Sequence, residues 1–203
     1  MKRASAAALL ALLAGCFAPG NLPPREYYVL DDLSKAAAPK RATATGRVLL
    51  VNPTSVSPFY DTQSLVFSRA PGQRAHYQFA AWTERPGRRF SELLMRRLDA
   101  RGGFKSVAST TSGVKGDLVL NTRLEEFYQD AGTDPGSARI ELSVELIDHA
   151  RRAILARRAF SQSAPAGVEG APAAVAAFNR AMTALLDEVT VWLEQEAARP
   201  EPR

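Results

Sequence analysis

Cysteine is nearly missing from this chain: 203 residues hold one, Cys16. A lone thiol excludes an internal disulfide, so stability must come from a packed core, which a chain of this length can build. Histidine is almost as scarce. His76 and His149 are the only two; they fall on separate expected hairpins and give no converging ligand set for a metal. No apolar run approaches the roughly 20 residues that a membrane-spanning helix needs. Neither a Gly-x-Ser-x-Gly elbow nor a Gly-rich phosphate loop is present, and Arg101-Gly102-Gly103-Phe104 reads as a helix C-terminus. Glu125 and Glu126 are adjacent on an expected strand and so point to opposite faces, which keeps them from sharing a substrate. These absences argue against an enzyme and against a metal or organic cofactor.

The N-terminus carries the most specific signal. Met1-Lys2-Arg3 is a short positive start, Ala4 to Leu13 an apolar run, and Leu13-Ala14-Gly15-Cys16 closes it. That is the anatomy of a secretory signal, with an apolar segment too short to serve as an anchor. Leu-Ala-Gly-Cys also resembles the lipobox of bacterial lipoproteins. The resemblance implies cleavage before Cys16 and a covalent lipid there, S-diacylglycerol on the thiol and an N-acyl chain on the new amine. Several chains on one residue fix a protein to a bilayer where one holds it only marginally. Phe17 follows Cys16 where an aspartate is the usual inner-membrane retention signal, which points to the inner leaflet of the outer membrane, facing the periplasm. Loss of Lys2 and Arg3 with the leader lowers the formal charge from +5 to +3. With no nucleic-acid motif, that is not a nucleic-acid footprint.

The expected layout is a signal peptide over 1–15, the lipidated cysteine and a Pro-rich tether over 16–26, a single domain over 27–197, and a frayed tail over 198–203. Within the domain, Tyr27 to Leu30 is a short β-prone run. Residues 34–46 form a small-residue linker with little to bury. Arg47 to Val51 is an apolar strand expected inside the sheet. Phe59 to Arg69 and His76 to Trp82 flank the turn Ala70-Pro71-Gly72-Gln73 and predict a hairpin. The aromatics here are either cross-strand core pairs or exposed partner contacts.

Phe90, Leu93, Leu94 and Leu98 recur at helical spacing, with Pro86 at the start and Gly102-Gly103 at the exit. Arg85, Arg88, Arg89, Arg96, Arg97 and Arg101 form either a solvated face or a contact for anionic headgroups or an acidic partner. Phe104 to Ser109 is a strand. Leu118 to Tyr128, Ile140 to Leu146 and Ala153 to Gln162 predict a three-stranded antiparallel meander. In its middle strand Ile140, Leu142, Val144 and Leu146 alternate with polar residues. Val175, Phe178, Met182, Leu185, Leu186, Val189, Trp192 and Leu193 trace one helical face expected to cross the meander's dry side. The fold class is therefore α+β: a mixed or antiparallel sheet with a C-terminal antiparallel meander, packed against two amphipathic helices.

Tyr60-Asp61, Leu65-Val66, Arg69, Trp82 and Pro86, followed by the leucine-rich helix ending at Gly102-Gly103-Phe104, resemble the ABC-type transport auxiliary lipoproteins across essentially the whole mature chain. Where the resemblance leads one to expect Arg-Pro after the aspartate, this chain has Thr62-Gln63, so no role of that arginine carries over. The resemblance implies an outer-membrane-anchored auxiliary lipoprotein that docks a periplasm-spanning MCE-domain protein of an ABC transporter moving lipids or other hydrophobic compounds. It also admits a homo-oligomeric ring, matching the ring symmetry of MCE proteins. Tyr60, Asp61, Arg69 and Trp82 are the candidates for the partner interface or for the hairpin's internal scaffold. The competing readings are an assembly lipoprotein for lipopolysaccharide or β-barrels, a periplasmic lipid carrier with a groove between sheet and C-terminal helix, and, more distantly, an envelope hydrolase.

Overall fold

A computed structural model describes residues 23–34, 45–167 and 170–199. The expected signal peptide, Cys16, the tether up to residue 22, most of the 34–46 linker and the last four residues of the tail lie outside the described residues. Nine strands and two long helices follow in the order β1 (Glu26–Tyr28), β2 (Val48–Val51), β3 (Ser55–Val56), β4 (Ser64–Ser68), β5 (Ala75–Trp82), α1 (Pro86–Arg101), β6 (Ser106–Ser109), β7 (Leu118–Asp130), β8 (Ser137–Asp148), β9 (Ala153–Pro165) and α2 (Ala171–Ala198).

All nine strands form one mixed sheet organised around β7. Along one edge β7 runs antiparallel to β8, from Leu118 opposite Asp148 to Asp130 opposite Ser137. Its other edge is shared in series by three short parallel strands. β2 sets Leu49 beside Leu118, β3 sets Val56 beside Leu124, and β4 sets Ser68 beside Asp130. β2 is also parallel to β6, which makes it the interior strand its two-sided apolar pattern requires. β4 and β5 form the expected hairpin, with a register shift between Ser64 and Val66, and β1 lies parallel to β5. β8 and β9 complete the antiparallel meander.

The alternation in β8 is realised: Ala138, Ile140, Leu142, Val144 and Leu146 are buried. Against them packs the α2 stripe, including Phe178, Met182, Leu185, Leu186, Val189 and Leu193. Each such burial stabilises the fold by about 1.5–3 kcal/mol. Trp82, Phe127 and Phe178 form the aromatic centre, with Phe127 and Phe178 stacked at 4.5 Å between centroids. α1 begins with Pro86 at its first turn and ends at Gly102, whose φ of 65° is the left-handed cap that favours glycine.

Two expectations fail for identifiable reasons. A bulge in β7 between Leu124 and Glu126 puts two residues, in place of one, between the buried positions Leu124 and Phe127, so strict alternation does not separate Glu125 from Glu126. Arg97, placed by its spacing on the polar side of α1, is buried at 7% exposure. Helical periodicity describes one helix against one surface. Here α1 meets the sheet on one side and α2 on another, and the counter-charges for Arg97 come from Asp32 of the N-terminal segment and Asp187 of α2.

Between α1 and α2 runs the segment Val29 to Ser34. Arg97 forks onto both Asp32 carboxylate oxygens at 2.5 and 2.8 Å and also bonds Asp187 of α2. Arg89 donates to the Leu30 carbonyl at 2.8 Å and to Asp31. From α2, the Asn179 Oδ1 accepts the Asp31 N–H and the Thr183 Oγ accepts the Leu33 N–H. One turn on, Arg101 grips Glu194 through two bonds of 2.7 Å. Three of the six arginines read as a solvated face or an anion contact are therefore used internally. Burial pushes the Asp32 carboxyl up, but the bonds from Arg97 and from the Ser34 N–H outweigh it and hold the carboxyl below its usual range.

Two outcomes follow from this packing. A Cβ at Gly87 would stand 2.3 Å from the Val56 Cγ2, so Gly87→Ala should destabilise the domain by about 1–3 kcal/mol, read as a lowered urea midpoint at unchanged slope. Arg97→Met strands the Asp32 charge and should cost up to about 3–5 kcal/mol, toward the lower end because Asp187 is 59% exposed. Because the folded pKa of Asp32 is depressed, the contribution of its charge is complete above the ordinary carboxylate value near pH 4. It is lost as pH falls through the folded value, so Asp32→Asn should flatten stability against pH in that acid window and leave its slope near pH 7 unchanged.

Candidate functional site

The β4–β5 hairpin holds most of the candidate residues, and its geometry sorts them. Trp82 is 1% exposed and packs edge-on against Phe178, while Tyr60 is 6% exposed. Neither is available to a partner, and both belong to the scaffold alternative. Asp61 and Arg69 are at the surface but at opposite ends of the hairpin. Asp61 precedes β4 and pairs with Arg85, just before α1, at 3.1 Å. Arg69 follows β4 at the turn, its guanidinium 4.9 Å from the Phe67 ring centroid.

Tyr60 is the centre of a polar knot that ties the hairpin to β7. Its hydroxyl donates to Glu126 at 2.5 Å and accepts from Arg74 Nε at 2.8 Å, and Arg74 also bonds Glu126 at 2.9 Å. The Arg74 guanidinium lies 3.6 Å from the Tyr128 ring centroid. Burial, with the bond to Glu126, pushes the Tyr60 hydroxyl up to about 12. Burial alone would lower the Arg74 pKa, but Glu126 and Tyr60 hold it raised. The group stays charged and the knot holds its protons at neutral pH, which suits bracing rather than proton transfer. Phe59, 44% exposed, stacks on His76 at 4.8 Å beside it.

Besides one of about 450 Å³ over the turn itself, from Phe67 to Ala75, two concavities border this hairpin. One, about 520 Å³, lies at the Asp61–Arg85 end and is lined also by Thr54, Arg88, Glu92 and Met95. The other, about 590 Å³, lies at the turn end between Phe67, Arg69, Tyr77 and Gln129. A further one, about 450 Å³, lies across β7, β8 and β9, with Arg123, Glu145 and Arg157 among its walls. Arg123 pairs with Glu125 there and Arg157 with Glu145. Sequence reasoning did not find Gln129 or the Arg74–Glu126 pair, because each is assembled from segments more than 50 residues apart. Among the described residues no group of three or more His, Cys, Asp or Glu could hold a metal ion. Also among them, no helix is long and apolar enough to cross a membrane.

Comparison with known proteins starts with structures. A Xanthomonas campestris protein of the DUF330 family superposes with a TM-score of 0.76 at 22% identity, over 84% of this chain and 95% of that one. A second, uncharacterised protein gives 0.66 at 14% identity, over 84% and 99%. The PelC dodecamer from Paraburkholderia phytofirmans gives 0.48 at 18% identity, over 74% and 90%. No curated protein matches in sequence. The first two likenesses establish the fold. Residues 28–190, from β1 into the last third of α2, match the family described as ABC-type transport auxiliary lipoprotein component, and the chain belongs to that family.

Proposed function

We propose that this chain is the outer-membrane-anchored docking lipoprotein of an ABC transport system, catching and positioning a periplasm-spanning MCE-domain protein for lipid or hydrophobic-compound transport. It is not an enzyme: its activity consists of location and contact. Cys16 carries the lipid, and the family match over nearly the whole domain carries the reading. The clamp on Val29 to Ser34 supports it mechanically. An anchor attached through that segment pulls on both helices at once, through Arg89 and Arg97 on one side and Asn179 and Thr183 on the other.

The partner surface is the concavity around Asp61, Arg85 and Arg88. Arg85 and Arg88 are 60% and 75% exposed, and each has a single acidic neighbour within reach, so a partner carboxylate can compete for them at little desolvation cost. Arg69 stands at the other end of the hairpin and takes no part in this surface.

The mass of the N-terminal peptide tests the anchor: it should begin at Cys16 and carry diacylglycerol plus an acyl chain, and Cys16→Ala should release the protein from the envelope. A photo-reactive side chain at position 88 should give an MCE-domain protein as the main adduct in whole cells, and Arg85→Glu should lower its yield several-fold. A β-barrel protein as the main adduct, or an equal yield from position 151 at the far turn, would overturn the docking assignment.

A further inference from the structure

β9 closes one side of the sheet. It is bonded to β8 along one edge and, among the described residues, to no strand along the other. The register decides which of its backbone groups face the open side. The Ala166 N–H bonds the Gly136 carbonyl, and in an antiparallel ladder the bonded pairs recur at every second residue. Arg158, Phe160, Gln162 and Ala164 of β9 therefore turn their N–H and C=O groups toward β8. Arg157, Ala159, Ser161 and Ser163 turn theirs outward, and no backbone bond among the described residues reaches them. Pro165 agrees with this parity, since its missing N–H falls at an outward position.

Free edges are ordinarily blunted by shortness, bulges, proline or charge. In β9 these devices sit at the ends. Pro165 lies at one, and the register shift opposite Leu146 and Ile147 at the other. The stretch from Arg157 to Ser163 between them is regular. Its two charges are already met within the chain. Arg157 reaches back to Glu145, its neighbour on β8, at 2.6 Å, and the Arg158 guanidinium lies 4.7 Å from the Phe160 ring centroid. An acidic strand would gain little at such an edge. A strand without excess charge and of matching parity fits it, and β9 is itself such a strand.

Laid antiparallel on a second β9 about Phe160, the four outward residues all find partners. Ala159 faces Ser161 of the second copy and Arg157 faces its Ser163, each pair exchanging two backbone bonds. Arg158 faces Gln162, so no arginine stands opposite another. Phe160, packed edge-on against Trp192 at 5.6 Å, stands on the two-fold axis. Neither Pro165 nor the shifted register enters the paired stretch.

We infer that two copies of this chain join edge to edge through residues 157–163 of β9, making one continuous sheet with α2 of both copies on the same side. The contact is two-fold and closes at two copies, unlike the head-to-tail contact that a ring requires. It rests on the register of β9 and not on the lipid at Cys16 or on a partner at the Asp61–Arg85 surface.

The test uses the full mature chain carrying Cys16→Ala, which leaves it without cysteine. Sedimentation equilibrium should show a dimer. Ser161→Pro should raise its dissociation constant by about tenfold or more and leave the urea midpoint of the dilute domain unchanged, because an outward N–H takes no part in the β8 ladder. Should proline disturb the fold, Ser161→Lys, which guards the edge without altering the backbone, should weaken the dimer in the same way. Arg158→Cys and Gln162→Cys together should give a covalent dimer on oxidation, since these positions face each other across the axis where side chains come closest. Arg158→Cys alone should not, because its equivalent lies four residues, about 14 Å, away along the strand. A chain still monomeric at about 1 mM overturns the proposal. So does an oligomer that keeps its affinity in both Ser161 variants, or equal cross-linking from the single and double cysteine variants.

Discussion

A guanidinium cannot be buried alone, and the arrangement around Arg97 follows from that. Removing its charge from water costs several kcal/mol unless carboxylates meet it with good geometry. Two do, and they come from opposite ends of the chain: Asp32 just after β1 and Asp187 in the middle of α2. α1 can sit where it does only if the N-terminal segment and the C-terminal helix are both in place. Arg101 with Glu194 repeats the device one turn on, with Glu194 1% exposed. Apolar packing would hold α1 to α2 with more net stability. The ion pairs add directionality: they fix which part of the N-terminal segment lies between the helices and in what register.

β7 imposes the second constraint. Thirteen residues long, it gives one edge to β8 and divides the other among β2, β3 and β4. The chain from Val48 to Ser68 therefore advances along β7 in three steps, and between the last two it makes the excursion that carries Phe59, Tyr60 and Asp61. The Tyr60–Arg74–Glu126 knot then fastens that excursion back onto β7 near the bulge. A bulge twists and bends its strand. Here it also brings Glu126 to the two groups that brace the hairpin.

Where one element faces one surface, the sequence was readable. β8 and α2 each show a single dry face, and their periods of 2 and 3.6 name the residues that meet in the core. The α1 boundaries were readable for the same local reason, Pro86 at one end and Gly102 at the other. Features with two partners were not. Arg97 looks like any polar-face arginine until a second helix is laid beside it, and the Glu125–Glu126 pair looks alternating until the bulge is seen. β3 is two residues long and has no pattern to read. Of the four hairpin candidates, Trp82 and Tyr60 were singled out by their aromatic character, which marks burial as readily as recognition. Gln129 has no signature at all, being one polar residue on a long strand that becomes notable only when the hairpin brings the Tyr77 hydroxyl to it.

The hairpin joins two separate surfaces, the Asp61–Arg85 end and the Arg69 turn. The described N-terminal segment meets the hairpin at the first of these, with Glu26 beside Ala80 and Arg25 bonded to Ser64. Contact at one end need not be felt at the other through any rearrangement, because β4 is paired to both β5 and β7, and Tyr60 and Arg74 brace the hairpin against β7. A hairpin braced in this way keeps the distance and angle between its two ends, and a soft one would lose both. The clamp on Val29 to Ser34 extends that rigidity to the segment that follows β1, which is held from α1 by Arg89 and Arg97 and from α2 by Asn179 and Thr183.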